Sequence, residues 1–501
     1  MPGAPIRIGP WENGVTNRIV DPAAVDPKFL LRADNFIYDI VGNLTTRPPI
    51  LNDDGNTAYG NDVEVLLWTL MTQSNGSIVS VVIVTSQSGT WAIVDGVRTK
   101  ISNYYHPSCA EGIRGEGDTR ENVIWFSGSP SDLNVGGYWT PGDSSITTIA
   151  NIPVCKSMAM YDNRLWMGAI ATTDPKRVSE VQFSAVFPVD ADDFVSGDLT
   201  ADITVGGYIQ FAPEDGESVT KVVSYYDSLL VFKDSSTYLF SIDRSDIKNR
   251  SQTKRVSNTV GTPNDHTAVV FNDVVYSLHE RYVHRFTGQS FVPLDEKIIL
   301  TGTSGDESLS LFNDMLIARR GSNYWVYNFY TESWTTWSTA RSFNWLVTRP
   351  SSKNVNEVRA IGGLIGTTNL ISIESVHKAG RSESFVAELQ TPYIIAEGES
   401  VFKRLFWWGA HIFHTGEVRG AVDAVSELVE GSIAWDSNSK PDNFITSPYG
   451  YFVKFLKAYR FRQIAFRLQL YTDGQQPSSI FSLISVMRGG KKLYGKPVAT
   501  L

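Results

Sequence analysis

The sequence predicts an all-β protein: a β-propeller of six or seven blades followed by a C-terminal antiparallel β-sandwich. Three observations predict it: the composition, a turn motif repeated at blade-like spacing, and a change of character near residue 382. Charged residues make up only 19% of the chain and aromatics 12%, with thirteen Trp, 40 Gly and 22 Pro. Few charges, many aromatics and many turn formers favour strands over helices. At 501 residues the chain exceeds one compact core, and it divides into an N-terminal segment (1–58), a propeller (59–381) and a sandwich (382–501).

The repeat carries most of the prediction. Four places show an aromatic residue, then Asp or Asn, then a small polar or acidic residue, then an apolar run. They are Tyr161-Asp162-Asn163, Tyr226-Asp227-Ser228, Phe271-Asn272-Asp273 and Phe312-Asn313-Asp314, spaced 65, 45 and 41 residues apart. Asp and Asn tolerate left-handed backbone, which places them at hairpin turns. A further strand is expected after each, near Val181–Ser184, Thr237–Ile242, Tyr282–Phe286 and Tyr324–Asn328. One such sheet cannot bury both faces, and radial stacking of units of about 40–45 residues buries them. The competing arrangement is a set of unrelated hairpins in a sandwich.

The remaining elements follow in order. In the N-terminal segment, Asp26 and Pro27 mark the start of a short helix to Asn35, packed on the propeller or on a neighbouring subunit. Glu64–Leu70, Ile78–Thr85 and Thr90–Val94 read as strands joined by turns at Asn75-Gly76 and Ser88-Gly89, giving a blade over 64–97. Asn122–Thr140 reads as a second blade and Val355–Glu374 as a last one, and Ala185–Gly207 is the insertion that lengthens one repeat. Past Ser382 the strands are mostly longer and lack the motif: Phe385–Thr391, Phe402–Phe413, Glu417–Ala424, Tyr459–Tyr471 and Ile480–Met487. Ala421–Glu430 is a second helix candidate.

Charge narrows the function classes. The chain carries 44 basic and 53 acidic residues, a net −9, which argues against a protein that coats nucleic acid. The imbalance lies in residues 1–384, with 31 basic against 43 acidic; the last 51 residues carry nine basic groups and one acid, Asp473. Lys454–Arg467 mixes basic and apolar residues, either as the solvated face of a strand or as a docking surface for an acidic partner or DNA phosphates. Two cysteines, Cys109 and Cys155, suggest a reduced compartment and no metal knuckle. The N-terminus shows no apolar leader run and no stretch approaches a membrane span, so neither export nor spanning is expected.

Candidate chemistry is sparse. No Walker loop, dinucleotide fingerprint, nucleophile elbow or zincin motif occurs. Gly362-Gly363-Leu364-Ile365-Gly366 is expected between strands, without a helix to offer a phosphate. His279 with His284, and His411 with His414, are expected to point to opposite faces of their strands. Asp53-Asp54 and Asp190-Ala191-Asp192-Asp193 read as acidic loops. Trp325, Trp334 and Trp337 with Tyr324, Tyr327 and Tyr330 are either blade core or a sugar-stacking platform. No catalytic, cofactor-binding or metal site is assigned, and no enzyme is expected.

Several stretches, in order along the chain, resemble one family. Gly14-Val15-Thr16-Asn17-Arg18 is followed by Phe29 to Asn35 (FLLRADN) and by Gly42 to Pro49 (GNLTTRPP). Arg164-Leu165-Trp166-Met167-Gly168, Val181 to Ala185, Asp192-Asp193-Phe194 and Leu229 to Tyr238 (LLVFKDSSTY) come next. Gly261-Thr262, Trp334-Thr335-Thr336-Trp337 and Lys403-Arg404 complete the series. The set resembles the β-propeller tail proteins of tailed bacteriophages: tail hub or nozzle proteins, of packaged-DNA stabilisation or minor tail type. The resemblance implies a virion tail subunit assembled in the host cytoplasm, a homo-oligomer in a hexameric ring, with adaptor or connector and fibre or spike proteins as partners. It also implies transient, non-specific contact with genomic DNA leaving through the ring; a negative lumen would let DNA slide without sticking. The alternative reading is a carbohydrate-binding or glycan-cleaving propeller acting in host recognition.

Overall fold

The computed structural model describes residues 5–8, 15–16, 30–38, 43–53, 59–73, 76–115, 120–174, 177–194, 205–244, 251–339, 341–348, 359–365, 367–374, 383–393, 403–414, 418–425, 430–432, 436–438, 451–455, 459–461, 463–472 and 478–489. Among them the chain is all-β, with no α-helix and two single-turn 3-10 segments at Asp192–Phe194 and Pro213–Asp215.

Antiparallel meanders of four strands follow one another along the chain. The first comprises Glu64–Thr72, Ile78–Ser86, Gly89–Val94 and Val97–Ser102; the second Cys109–Arg114, Glu121–Phe126, Gly137–Trp139 and Thr147–Thr148. The third is Cys155–Tyr161, Arg164–Ile170, Glu180–Phe183 and Gly207–Gln210; the fourth Val219–Tyr225, Ser228–Lys233, Thr237–Ser241 and Gln252–Ser257. The fifth is Ala268–Phe271, Val274–His279, Tyr282–Phe286 and Phe291–Pro293; the sixth Ser308–Phe312, Met315–Arg320, Asn323–Asn328 and Ser333–Trp337. The seventh has Phe343–Thr348, Arg359–Leu364 and Leu370–Glu374, and takes its fourth strand, Ile50–Asp53, from the N-terminal segment.

Apolar clusters join the meanders in cyclic order. Ile83 and Met71 meet Phe126 and Trp139; Trp125 and Val123 meet Leu165 and Met167; Trp166 and Phe183 meet Leu229 and Phe240. Phe232 then meets Val275, Leu278 meets Trp325 and Trp334, and Ile317 and Trp337 meet Phe343 and Ile371. Ile361 and Leu370 of the seventh meander finally pack on Val65, Trp68 and Val82 of the first. Face-to-face burial that returns to its starting sheet defines a β-propeller. Gly363 marks the closure: a Cβ there would lie 1.8 Å from the Val63 carbonyl oxygen, so only glycine lets the two backbones approach.

The repeated motif lies at the hairpin between the first and second strands of the third to sixth meanders. Asp162 and Asn163 (φ 52° and 58°), Asn272 and Asp273 (48° and 61°) and Asn313 (54°) supply the left-handed backbone such turns demand. In the fourth meander the register is one residue earlier than the spacing suggests. Tyr225 pairs with Ser228, so the turn residues are Tyr226 and Asp227, and Tyr226 itself is left-handed (φ 47°). The long repeat has its extra residues between its third and fourth strands, and Phe194 from that insertion packs on Trp125 at 5.6 Å.

Both helix expectations fail within the described residues. Arg32–Asp34 is a strand, paired parallel to Ser333–Trp337 and antiparallel to Phe385–Gln390, and Val418–Val425 is a strand paired with Gln463–Thr472. Ladder partners on both flanks of Arg32–Asp34 outweigh a local cap signal. Strand pairing runs across positions 58 and 382. Arg32–Asp34 makes the sixth meander continuous with the sheet of Phe385–Gln390, Gln463–Thr472 and Val418–Val425. A second sheet is built on Lys403–Phe413 and Ser479–Gly489, with Pro5–Ile8 and Leu44–Thr46 both pairing with the latter. One cluster holding Ala33, Phe36, Leu389, Trp408, Phe466 and Leu468 lies between the two sheets.

Arg47 sits where these parts meet. It is fully buried, with NH1 and NH2 on the two Glu383 carboxylate oxygens (2.8 and 3.1 Å) and Nε on Asn35 Oδ1 (2.9 Å). Its remaining donors reach the carbonyls of Pro48 and Ser338, and its plane lies 4.1 Å from the Phe385 ring centroid. Glu383 also accepts the Ile50 amide at 2.7 Å, which fixes the strand that completes the seventh meander. Breaking a buried pair by removing one partner leaves an uncompensated charge. Arg47→Met and Glu383→Leu are each expected to cost about 3–5 kcal/mol, and the double variant less than the sum of the two. Urea denaturation of the four proteins in a double-mutant cycle checks this; additivity would refute the pairing.

Candidate functional site

Each meander's first strand lies innermost in the ring, and its hairpin defines one rim. At the opposite rim, where these strands begin, side chains from five meanders and their approach loops converge. Tyr105, leading into the second meander, donates to Glu64 Oε2 at 3.0 Å, at the start of the first. Lys221 in the fourth reaches the Ala268 carbonyl at 2.8 Å and also the Asp265 carbonyl, in the loop before the fifth. His266, with Nε2 3.3 Å from Asp265 Oδ2, stacks on Trp345 of the seventh, centroids 3.3 Å apart. Trp345 in turn donates to the Val65 carbonyl at 2.8 Å. The hydrogen bonds join neighbouring meanders, and the His266–Trp345 stack reaches past the sixth meander from the loop before the fifth to the seventh.

The electrostatics follow from enclosure. Burial, with Asp265 and Asp62 nearby, pushes the Glu64 carboxyl up to about 7 against the help of Tyr105 and Lys156. Burial pulls the Lys221 ammonium down to about 8, partly offset by Asp265. The Asp265 carboxyl is raised by burial, and His266 is held well below its ordinary range by burial and the two lysines. Charge partners oppose desolvation at Lys221 and Asp265 and reinforce it at His266, a mixed perturbation shared by functional sites and structural ion networks. Beside the network lies a pocket of about 390 Å³ lined by Tyr105, Cys155, Lys156, Thr220, Asn264 and Asp265. Burial pushes the Cys155 thiol up to about 12, so it stays protonated and unreactive at neutral pH. The pocket can hold a small polar ligand through the Lys156 ammonium, the Tyr105 hydroxyl and Asp265. Sequence reading missed this site because its members carry no motif: they are single residues at the starts of different strands, brought together only by ring closure.

The residues singled out in the sequence lie elsewhere. Trp325, Trp334, Trp337, Tyr324 and Tyr327 are buried between the fifth, sixth and seventh meanders, and only Tyr330 is exposed, so they form core and not a platform. Asp193 accepts the Val189 and Asp190 amides and Asp190 that of Asp192, so this acidic loop bonds its own backbone. The Asp53 side chain and Asp54 lie outside the described residues.

His279 and His284 do not point to opposite faces. They lie on the two strands of one hairpin, His279 opposite Tyr282 and Ser277 opposite His284, which puts both imidazoles on one face. Burial and the neighbouring His279 lower His284 to about 4. His414 is buried with Nδ1 2.7 Å from Ser478 Oγ, and the His411 side chain is outside the described residues. No group of three metal-ligating side chains occurs among the described residues. Nor is any helix there long and apolar enough to cross a membrane. In the basic stripe, Ile464, Phe466 and Leu468 face the core, and Arg467 pairs with Glu388 at 2.9 Å.

No family model matches the chain, and no curated protein does. Among solved structures, the extracellular domain of the one component system BT4673 from B. thetaiotaomicron is similar over 78% of this chain, at 11% identity and a TM-score of 0.37. The match takes in 46% of that chain, so the present chain corresponds to about half its length. The Pan2 WD40 domain of Neurospora crassa is similar over 67% of this chain and 96% of its own, at 8% identity and the same TM-score. The fold assignment therefore stands on the strand pairing and the cyclic order of the clusters.

Glu64 and Lys221 give opposite pH dependences. The folded state holds the Glu64 proton up to about pH 7 and the unfolded chain releases it near 4.5, so this group's contribution falls as pH rises through that window. For Lys221 the unfolded chain binds the extra proton between about 8 and 10.5, so its contribution rises with pH there. Relative to the parent, Glu64→Gln is expected to gain about 1–3 kcal/mol as pH rises from 4.5 to 7.5, and Lys221→Met to lose the rise in stability between pH 8 and 10.5. Urea midpoints across pH 4.5–10 check both signs.

Proposed function

We propose that this chain is a non-enzymatic structural subunit of a bacteriophage tail, of tail-hub or nozzle type. In this reading it is a seven-bladed propeller, closed by the N-terminal strand Ile50–Asp53, that carries a β-sandwich completed by N-terminal strands. Copies assemble into a ring, hexameric by the family resemblance, at the lower end of the connector. The ring retains packaged DNA and offers docking surfaces for adaptor, fibre or spike proteins.

One observation carries the reading: the residues behind the resemblance have load-carrying structural roles in this fold. Ala33 and Leu44 are buried in the cluster between the two C-terminal sheets, while Asn35 and Arg47 build the node with Glu383. Lys233, fully buried, holds the loop into the fourth meander through the Phe211 carbonyl (2.9 Å), the Ala212 carbonyl (3.2 Å) and Asp215. Thr237 anchors the Val260 carbonyl at 2.8 Å, and Arg164 that of Ser184 at 2.9 Å. A resemblance resting on such residues is one of architecture, which supports an architectural role.

The blade centre is bridged by His266 and Trp345, so in this proposal DNA passes between subunits and not along the propeller axis. The acidic excess of residues 1–384 suits such a wall, and the basic C-terminal region suits contact with an acidic neighbour.

Size exclusion with light scattering, on the protein alone and with virion connector proteins, tests the assignment. A ring-sized mass, or stable incorporation only when the connector is present, is the expected result. A monomer that ignores the connector would overturn it.

A further inference from the structure

The hairpin rim holds a cleft of about 970 Å³ above the junction of the second, third and fourth meanders, near the upper end of the size range of ligand sites. Its lining includes Met160 and Ile113 together with Asp162, Asn163, Arg244 and Gln252. Tyr226 stands at its edge, 68% exposed. This residue breaks the pattern of its own repeat. The equivalent first turn positions in the sister hairpins are Asp162, Asn272 and Asn313, residue types that adopt left-handed backbone readily, whereas an aromatic side chain does so under strain. Core packing does not compensate, because the Tyr226 ring meets Tyr225 edge-on (4.8 Å between centroids) and otherwise faces solvent.

We infer that this cleft binds a neutral oligosaccharide, with Tyr226 as the stacking surface. An exposed aromatic face suits the C–H face of a sugar ring, and the amides of Asn163 and Gln252 and the Asp162–Arg244 pair suit its hydroxyls. Charged ligands fit less well. Phosphates would meet three carboxylates, Asp162, Asp227 and Asp243, against one guanidinium. A cationic peptide would find one of the three, Asp162, already engaged by Arg244, whose own charge opposes a second cation. The site lies on the rim opposite the polar network and is independent of the tail-subunit proposal.

The test is calorimetric titration of the full chain with maltotriose, cellotriose and tri-N-acetylchitotriose, with hexalysine as the charged control. At least one trisaccharide is expected to bind in a salt-insensitive manner, and Tyr226→Ala and Gln252→Ala to weaken it about tenfold or more. Tyr226→Asn separates binding from structure: it is expected to lose the saccharide while raising the thermal midpoint, because Asn suits the turn. Absence of binding by all three sugars, binding unchanged in Tyr226→Asn, salt-sensitive capture of hexalysine alone, or a lowered midpoint in Tyr226→Asn would each overturn the inference.

Discussion

The buried pair of Arg47 and Glu383 is the constraint on which the rest of the architecture depends. A guanidinium with no access to water must have its donors satisfied from within, and here they are met by Glu383, Asn35 and the carbonyls of Pro48 and Ser338. Those partners belong to the N-terminal segment, the end of the sixth meander and the start of the C-terminal sheets. Their positions relative to one another are therefore set by a single planar group. Asn35 at φ 61° turns the chain between two short strands that serve different sheets, which explains why Ala-x-Asn and Arg-Pro occur together in this sequence.

The ring uses a different device from the node. Around its circumference the contacts are apolar, sheet against sheet, and non-directional. At its centre they are polar and aromatic and join residues from different meanders. Apolar contact supplies stability, while the central network fixes how the inner strands are seated. A propeller held in this way is braced both around its circumference and across its inner strands.

Much of this was legible in the sequence. The hairpins at Asp162, Asn272 and Asn313 were readable because left-handed turns restrict residue type, and Tyr282–Phe286 was placed to the residue because it alternates between two turns. Arg32–Asp34 was misread as helical because its partners are distant in sequence; at Val418–Val425 the strand reading of Glu417–Ala424 holds and the overlapping helix reading of Ala421–Glu430 fails, decided by pairing with the distant Gln463–Thr472. The one-residue slip at Tyr226 has another cause: Tyr226-Asp227-Ser228 satisfies the motif, yet Tyr225 pairs with Ser228, which moves the aromatic Tyr226 into the first turn position. The two histidines on one face, and the network around Glu64 and Lys221, depend on strand register and ring closure, neither of which is written locally.

The strand Ile50–Asp53 has a further consequence in time. Its partner, Leu370–Glu374, is some three hundred residues further along. At synthesis rates of about 5–20 residues per second, the early strand waits tens of seconds before its partner leaves the ribosome. Throughout that interval the nascent chain carries an unpaired edge and an Arg47 without its carboxylate. This early strand is thus among the last to be placed, and the window before closure is when the growing chain is most exposed to pairing with the wrong edge.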